Sequence, residues 1–137
     1  MSDAPTVILL IRHGMNDFVK EHRLAGRTPG VHLNDEGRAQ AAALAARLAL
    51  TPPAALYSSP LERARETAEP LAARLGLTVQ LRDDIAETDM GAWTGQAIEA
   101  LSKEEPWRHV QVCPSTFQSC SLPPLCLTST NDGHGSL

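Results

Sequence analysis

Apolar positions along this chain fall into blocks that differ in period. The first, Thr6 to Gly14 (TVILLIRHG), is a continuous run rich in Val, Ile and Leu, which predicts a fully buried strand. From Asn34 to about Leu50 the period becomes helical: Ala41, Leu44, Ala45 and Leu48 fall at i, i+3, i+4 and i+7. Asn34 is the expected N-cap, Asp35 and Glu36 suit the positive end of the macrodipole, and Thr51, Pro52 and Pro53 close the helix. Ala54 to Tyr57 predicts a short strand. Ser59 with Glu62 then fits a capping box, with Pro60 at the first helical position. The second helix has Ala64, Ala68, Leu71, Ala72 and Leu75 on its apolar face, a kink expected at Pro70 and a left-handed end at Gly76. Leu77 to Leu81 reads as a third strand.

Strand, helix, strand, helix, strand in this order predicts an α/β fold with a mostly parallel sheet. Ligands in such sheets bind at the carboxyl ends of the strands. Arg12 and His13 end one strand and Ser58 and Ser59 another, so the two segments are expected to converge on one pocket. Met15 to Leu33 is a polar excursion holding His22, Arg23, Arg27 and His32, and long loops in compact domains are usually functional. Asp83 to Gly95 is an acidic loop, and Ile98 to Lys103 predicts a short helix. Beyond Val112 the composition changes: residues 113–137 hold no Lys, Arg, Glu or Ala. The expected organisation is therefore one domain over 1–112 and an atypical, disordered tail over 113–137.

With 137 residues the chain can bury one sizeable core. Its 42% hydrophobic and 20% charged residues are those of a globular protein, and a net charge of -4 gives no reason to expect a nucleic-acid partner. No segment approaches the roughly 18 to 20 apolar residues needed to span a bilayer, and Arg12 interrupts the first apolar run before a signal-peptide core forms. The expectation is a cytoplasmic protein with no membrane partner. Cys113, Cys120 and Cys126 show neither metal nor redox spacing and do not suggest a disulfide framework.

The chemistry concentrates where the first run ends. Phosphoryl transfer spreads negative charge over equatorial oxygens, so positioned cations do much of the catalytic work. Arginine suits this because its planar fork holds two oxygens at once. Arg12 and Arg63 are the candidates, Arg63 in a helical first turn where a bound anion would offset its conflict with the macrodipole. His13 is positioned to attack phosphorus as a neutral imidazole. A leaving alkoxide needs a proton, and Glu87 is the candidate acid. Plainer readings stand beside these: Arg63 as a solvated partner of Glu66 or Glu69, Glu87 as one loop acid among several, Arg27 as solvent-exposed, and Trp93 as packing.

Together these residues carry a resemblance. Arg12-His13-Gly14 resembles the signature of the histidine phosphatase superfamily, the phosphoglycerate mutase-like proteins. Leu33-Asn34-Asp35-Glu36-Gly37 is similar to the L-x-x-x-G start of that family's first helix. Tyr57-Ser58-Ser59-Pro60-Leu61-Glu62-Arg63-Ala64 is similar to its second motif, whose arginine falls on Arg63, and Glu87 with Gly91, Trp93 and Gly95 matches the stretch holding its acid. The resemblance covers about residues 6 to 112.

It implies a three-layer α/β phosphoglycerate mutase-like fold and a phosphomonoester hydrolase in which His13 is phosphorylated. Arg12 and Arg63 bind the phosphoryl group, with Asn16 and Arg27 as further phosphate-binding candidates, and Glu87 donates the proton. The implied partner is a small phosphorylated substrate, with no metal and no organic cofactor. Phosphoglycerate mutase-type phosphotransfer and a non-catalytic phosphate-binding chain remain alternatives. Two departures matter. Met15 and Asn16 stand where the family usually has Glu or Gln followed by Ser or Thr. The later strand bearing the family's second catalytic histidine also has no counterpart, since only Gly133-His134-Gly135 offers a histidine and no apolar run precedes it. The expectation is a truncated domain carrying a frameshifted or foreign tail after about residue 117, with poor folding and little turnover.

Overall fold

The computed structural model describes residues 5–112. These divide into two units, one of residues 5–17 and 30–86 and the other of 18–29 and 87–112. Expectations concerning residues 113–137, including the tail boundary, the three cysteines and His134, lie outside the described residues.

A short helix α1 (Asp17–Lys20) has Asp17 in the first unit and its other residues in the second; in the first unit, helix α2 (Asp35–Leu48) starts where its cap predicts, the Asn34 side chain accepting the Gly37 N–H at 3.0 Å. Strand β1 (Leu56–Ser58), helix α3 (Glu62–Leu75) and strand β2 (Val79–Leu81) form a parallel crossover unit. Leu56 pairs with Val79, Tyr57 with Gln80 and Ser58 with Leu81. The core lies between α2, α3 and this ladder, where Ala45, Leu56, Ala68 and Leu71 are buried against Leu44, Leu48, Leu75 and Val79. The predicted stripes of both helices therefore face each other.

Helix α3 continues past Pro70 to Leu75 and ends on Gly76 in the left-handed region at φ 65°, where the Gly76 and Leu77 N–H groups both reach the Ala72 carbonyl. Its start differs from the expectation. Leu61, not Ser59, occupies the N-cap, and Ser59 Oγ accepts the Leu61 N–H at 3.3 Å instead. The expected capping box is lost because the Glu62 carboxylate is engaged elsewhere, accepting the Gly30 N–H at 3.2 Å.

The largest correction concerns Thr6 to Arg12. No strand forms there; the segment is irregular, and Val7 to Ile11 are exposed, Val7 at 78% and Leu10 at 94%. Apolar composition favours burial, but a strand is defined by its hydrogen-bonding neighbours, and among the described residues none pairs with this run.

The second unit holds an antiparallel bridge between Arg23 and Ala97, flanked by Leu24 N–H to Gln96 O at 2.9 Å and Ile98 N–H to His22 O at 2.8 Å. A 3₁₀ turn at Asp83–Ile85 belongs to the first unit, and in the second a 3₁₀ turn at Gly91–Trp93 precedes helices α4 (Ile98–Leu101) and α5 (Glu105–Val112). Trp93, Leu101 and Trp107 form this unit's core, with the two indoles edge to face at 5.6 Å. Trp93 is thus a packing residue, its Nε1–H donated to Glu104 at 2.9 Å. No helix of the described residues is long and apolar enough to cross a membrane.

Candidate active site

The loop from Arg12 to Asn16 is clamped by the two helices of the first unit. Gly14 N–H donates to Thr67 Oγ1 at 2.9 Å, and Thr67 Oγ1 donates in turn to the Arg63 carbonyl at 2.7 Å. Met15 N–H donates to Gln40 Oε1 at 2.9 Å, while the Met15 carbonyl accepts the Asn34 N–H at 3.1 Å. This closeness requires glycine on both sides. A Cβ on Gly14 would stand 2.7 Å from the Gly37 carbonyl oxygen, and a Cβ on Gly37 would stand 2.1 Å from the Met15 carbonyl oxygen. The physical content of the Leu33-to-Gly37 motif is this backbone-to-backbone seat.

His13 is half-buried, with Nδ1 at 2.8 Å from the carbonyl oxygen of Gly14. A carbonyl only accepts, so in this contact Nδ1 is the donor. Asn16 is fully buried beside it, its amide 3.5 Å from the same Nδ1. Arg63 is 2% exposed in the first turn of α3. A guanidinium that deep at the positive end of a helix is stabilised by a nearby anion. Arg12, by contrast, is exposed. The structure thus links His13, Asn16 and Arg63 through the Gly14–Thr67 contact.

Sequence reasoning missed the residues that hold this loop. Thr67 and Gln40 lie outside the recognised motifs, though Thr67 follows Arg63 by one helical turn. Glu66 is the other omission. Its carboxylate accepts the Leu33 N–H at 2.7 Å, pairs with His32 Nδ1 and lies 3.9 Å from Arg38 Nη1. Burial works to raise the Glu66 pKa, but the hydrogen bonds from His32 and Leu33 and the charges of His32 and Arg38 outweigh it, and the net shift is downward. Glu62, one turn earlier, is also shifted downward, by its own N–H and that of Gly30. Two acids of α3 therefore anchor the segment leading into α2.

Glu87 and Arg27 belong to the second unit and meet there, Arg27 Nε donating to the Glu87 carbonyl oxygen. The Glu87 side chain is exposed and accepts the Thr88 N–H at 2.9 Å. Gly26 lies at φ 51°, and a Cβ there would stand 2.9 Å from the Thr94 side-chain Oγ1. Among the described residues no group of three His, Cys, Asp or Glu is placed to hold a metal ion.

The first unit thus combines a parallel α/β crossover with a half-buried imidazole at His13 and a buried guanidinium at Arg63. Comparison with known proteins places it further. Residues 8–120 match the model of the histidine phosphatase superfamily (branch 1), and the chain belongs to this family. A bifunctional protein of Mycobacterium tuberculosis is 42% identical over 107 residues, which are 77% of this chain and 29% of that protein. Glucosyl-3-phosphoglycerate phosphatase from the same organism is 33% identical over 99 residues, covering 72% of this chain and 44% of the relative. Among solved structures, a mycobacterial glucosyl-3-phosphoglycerate phosphatase complexed with VO3 superposes with a TM-score of 0.65 at 32% identity, covering 72% of this chain and 49% of that one. The phosphoserine phosphatase of Entamoeba histolytica in complex with 3-phosphoglyceric acid gives 0.63 at 28% identity, covering 71% and 47%. The chain thus spans less than half the length of these relatives. That coverage accords with an α/β match that does not reach the expected later strand.

Proposed function

We propose that the chain acts as a phosphomonoester hydrolase on a small phosphorylated substrate in the cytoplasm, through a phosphohistidine on His13. The observation that supports this best is the Nδ1 contact with the Gly14 carbonyl, which fixes the orientation of the imidazole. Nε2 attacks phosphorus as the ester P–O bond breaks. The departing alkoxide takes the Glu87 proton and leaves as the alcohol. Water then attacks the phosphohistidine, giving a proton to the Glu87 carboxylate; the P–N bond breaks, and inorganic phosphate and neutral His13 are restored. Arg63, Arg12 and Asn16 hold the phosphoryl oxygens, and Arg27 anchors the backbone of Glu87. Family membership and relatives named as phosphatases support the assignment over mutase-type transfer, which would use the same phosphohistidine with a bound hydroxyl acceptor in place of water. Hydrolysis of p-nitrophenyl phosphate tests it. The native chain should turn over and His13→Ala should not; equal rates from the two would reject the mechanism.

A second reading has its own support. His13, Asn16 and Arg63 all lie in the first unit, whereas Glu87 lies in the second, so an anion can be held without the acid taking part. A chain that only binds phosphate would show calorimetric binding that Arg63→Met removes, with no turnover at any substrate concentration.

A further inference from the structure

Glu66 and Thr67 are consecutive residues of α3, and each holds one side of the loop that carries His13. We propose that Glu66 is a positioning residue for His13, acting through Leu33, Asn34 and Met15, a role that rests on His13 being the nucleophile. Every contact on this path lies within the first unit. The Glu66 carboxylate accepts the Leu33 N–H at 2.7 Å, and the next N–H, that of Asn34, donates to the Met15 carbonyl at 3.1 Å. Met15 follows Gly14, whose carbonyl oxygen meets His13 Nδ1 at 2.8 Å. Thr67 closes the other side by accepting the Gly14 N–H at 2.9 Å. Successive helical residues project about 100° apart, so one turn of α3 reaches both the segment entering α2 and the His13 loop.

The path has little slack. Leu33 is buried, so its side chain is fixed by packing while its N–H is fixed from α3. Asn34 is held as well, since its Oδ1 accepts the Gly37 N–H at 3.0 Å and Gly37 lies against the Met15 backbone with no space for a Cβ. The peptide joining Leu33 to Asn34 is planar, so a shift of Leu33 is passed to the Asn34 N–H and from there to Met15. Glu66 is itself pinned by the Leu33 N–H, by His32 Nδ1 and by Arg38 Nη1, the last at 3.9 Å. Its downward pKa shift keeps it ionised near neutral pH, and an ionised carboxylate only accepts. Glu62, one turn earlier on α3, instead holds Gly30, three residues before Leu33, and provides the comparison.

The test compares Glu66→Met, Glu66→Gln and Glu62→Met in the full 137-residue chain, by p-nitrophenyl phosphate turnover and by amide hydrogen exchange at Gly14 and Met15. Methionine has the length of glutamate but offers no oxygen to Leu33, whereas glutamine keeps one. A misplacement of about 1 Å can cost about 10²-fold in rate. Glu66→Met should therefore lose about ten- to a hundredfold in kcat with KM unchanged, and exchange faster at both amides. Glu66→Gln should recover most of both losses, and Glu62→Met should match the native chain. A merely structural role would speed exchange throughout α2 and α3 and leave the kcat of folded protein unchanged, which overturns the proposal. Native exchange at Gly14 and Met15 in Glu66→Met, or equal losses in Glu62→Met, overturn it too. Should Glu66→Met not fold, Glu66→Asp, which keeps the charge but stops short of Leu33, replaces it under the same criteria. A native chain without turnover would reject the hydrolase mechanism, and the two amides would then decide the positioning alone.

Discussion

Gly37 and Met15 meet backbone to backbone: a Cβ on Gly37 would fall 2.1 Å from the Met15 carbonyl oxygen and 2.8 Å from its nitrogen. Neither atom is the end of a flexible side chain, so Gly37→Ala must push the Arg12-to-Asn16 loop away from α2. The expected cost is about 1–3 kcal/mol of stability, read as a lowered urea midpoint. An unchanged midpoint would show that the loop is not seated on α2.

Thr67 serves two groups, accepting the Gly14 N–H and donating to the Arg63 carbonyl. Thr67→Val keeps the shape and leaves a buried N–H without its acceptor, which should cost about 1–3 kcal/mol. Thr67→Ser should recover most of that loss. Equal melts for the valine and serine variants would remove the hydroxyl from the account.

Glu66 carries the pH dependence of the first unit. Its folded pKa lies below the ordinary 4.5, so its contribution is fully present above that value and declines as pH falls through the lower folded value. Glu62 shifts in the same direction and adds to the same acid limb. Urea midpoints measured from pH 7 down to pH 3 should therefore be lower and less steep below 4.5 for Glu66→Gln than for the native chain. Parallel curves would mean that the bonds from Leu33 and His32 do not stabilise the carboxylate.

Glu87→Gln separates proton donation from phosphate binding. An alkyl phosphate leaves as a strongly basic alkoxide and needs the acid, whereas p-nitrophenolate leaves readily without one. The variant should lose about 10²–10⁴-fold on the alkyl ester and far less on the aryl ester. Equal losses on both would assign Glu87 a role other than proton donation.

Features set by neighbouring residues were legible in the sequence. The Asn34 cap, the helix from Asp35, the left-handed Gly76 and the order of β1, α3 and β2 each depend on contacts a few residues apart or on a repeating period. Thr6 to Arg12 was misread because a ladder is decided by a partner that the segment's own composition does not specify. Ser59 was misplaced for a related reason, since its presumed partner Glu62 is bound to Gly30, 32 positions away. The residues that hold the loop, Gln40, Glu66 and Thr67, act across α2 and α3 and leave no trace in local pattern. Arg27 and Glu87 were each singled out, but their contact across 60 positions was not.

The nucleophilic role of His13 is tested most directly by trapping its covalent intermediate. Brief reaction with a phosphorus-labelled ester, followed by alkaline denaturation and peptide mapping, should place an acid-labile, base-stable phosphoryl group on His13, absent from His13→Ala. Label on any other residue, or turnover by the native chain with no label on His13, would contradict the account.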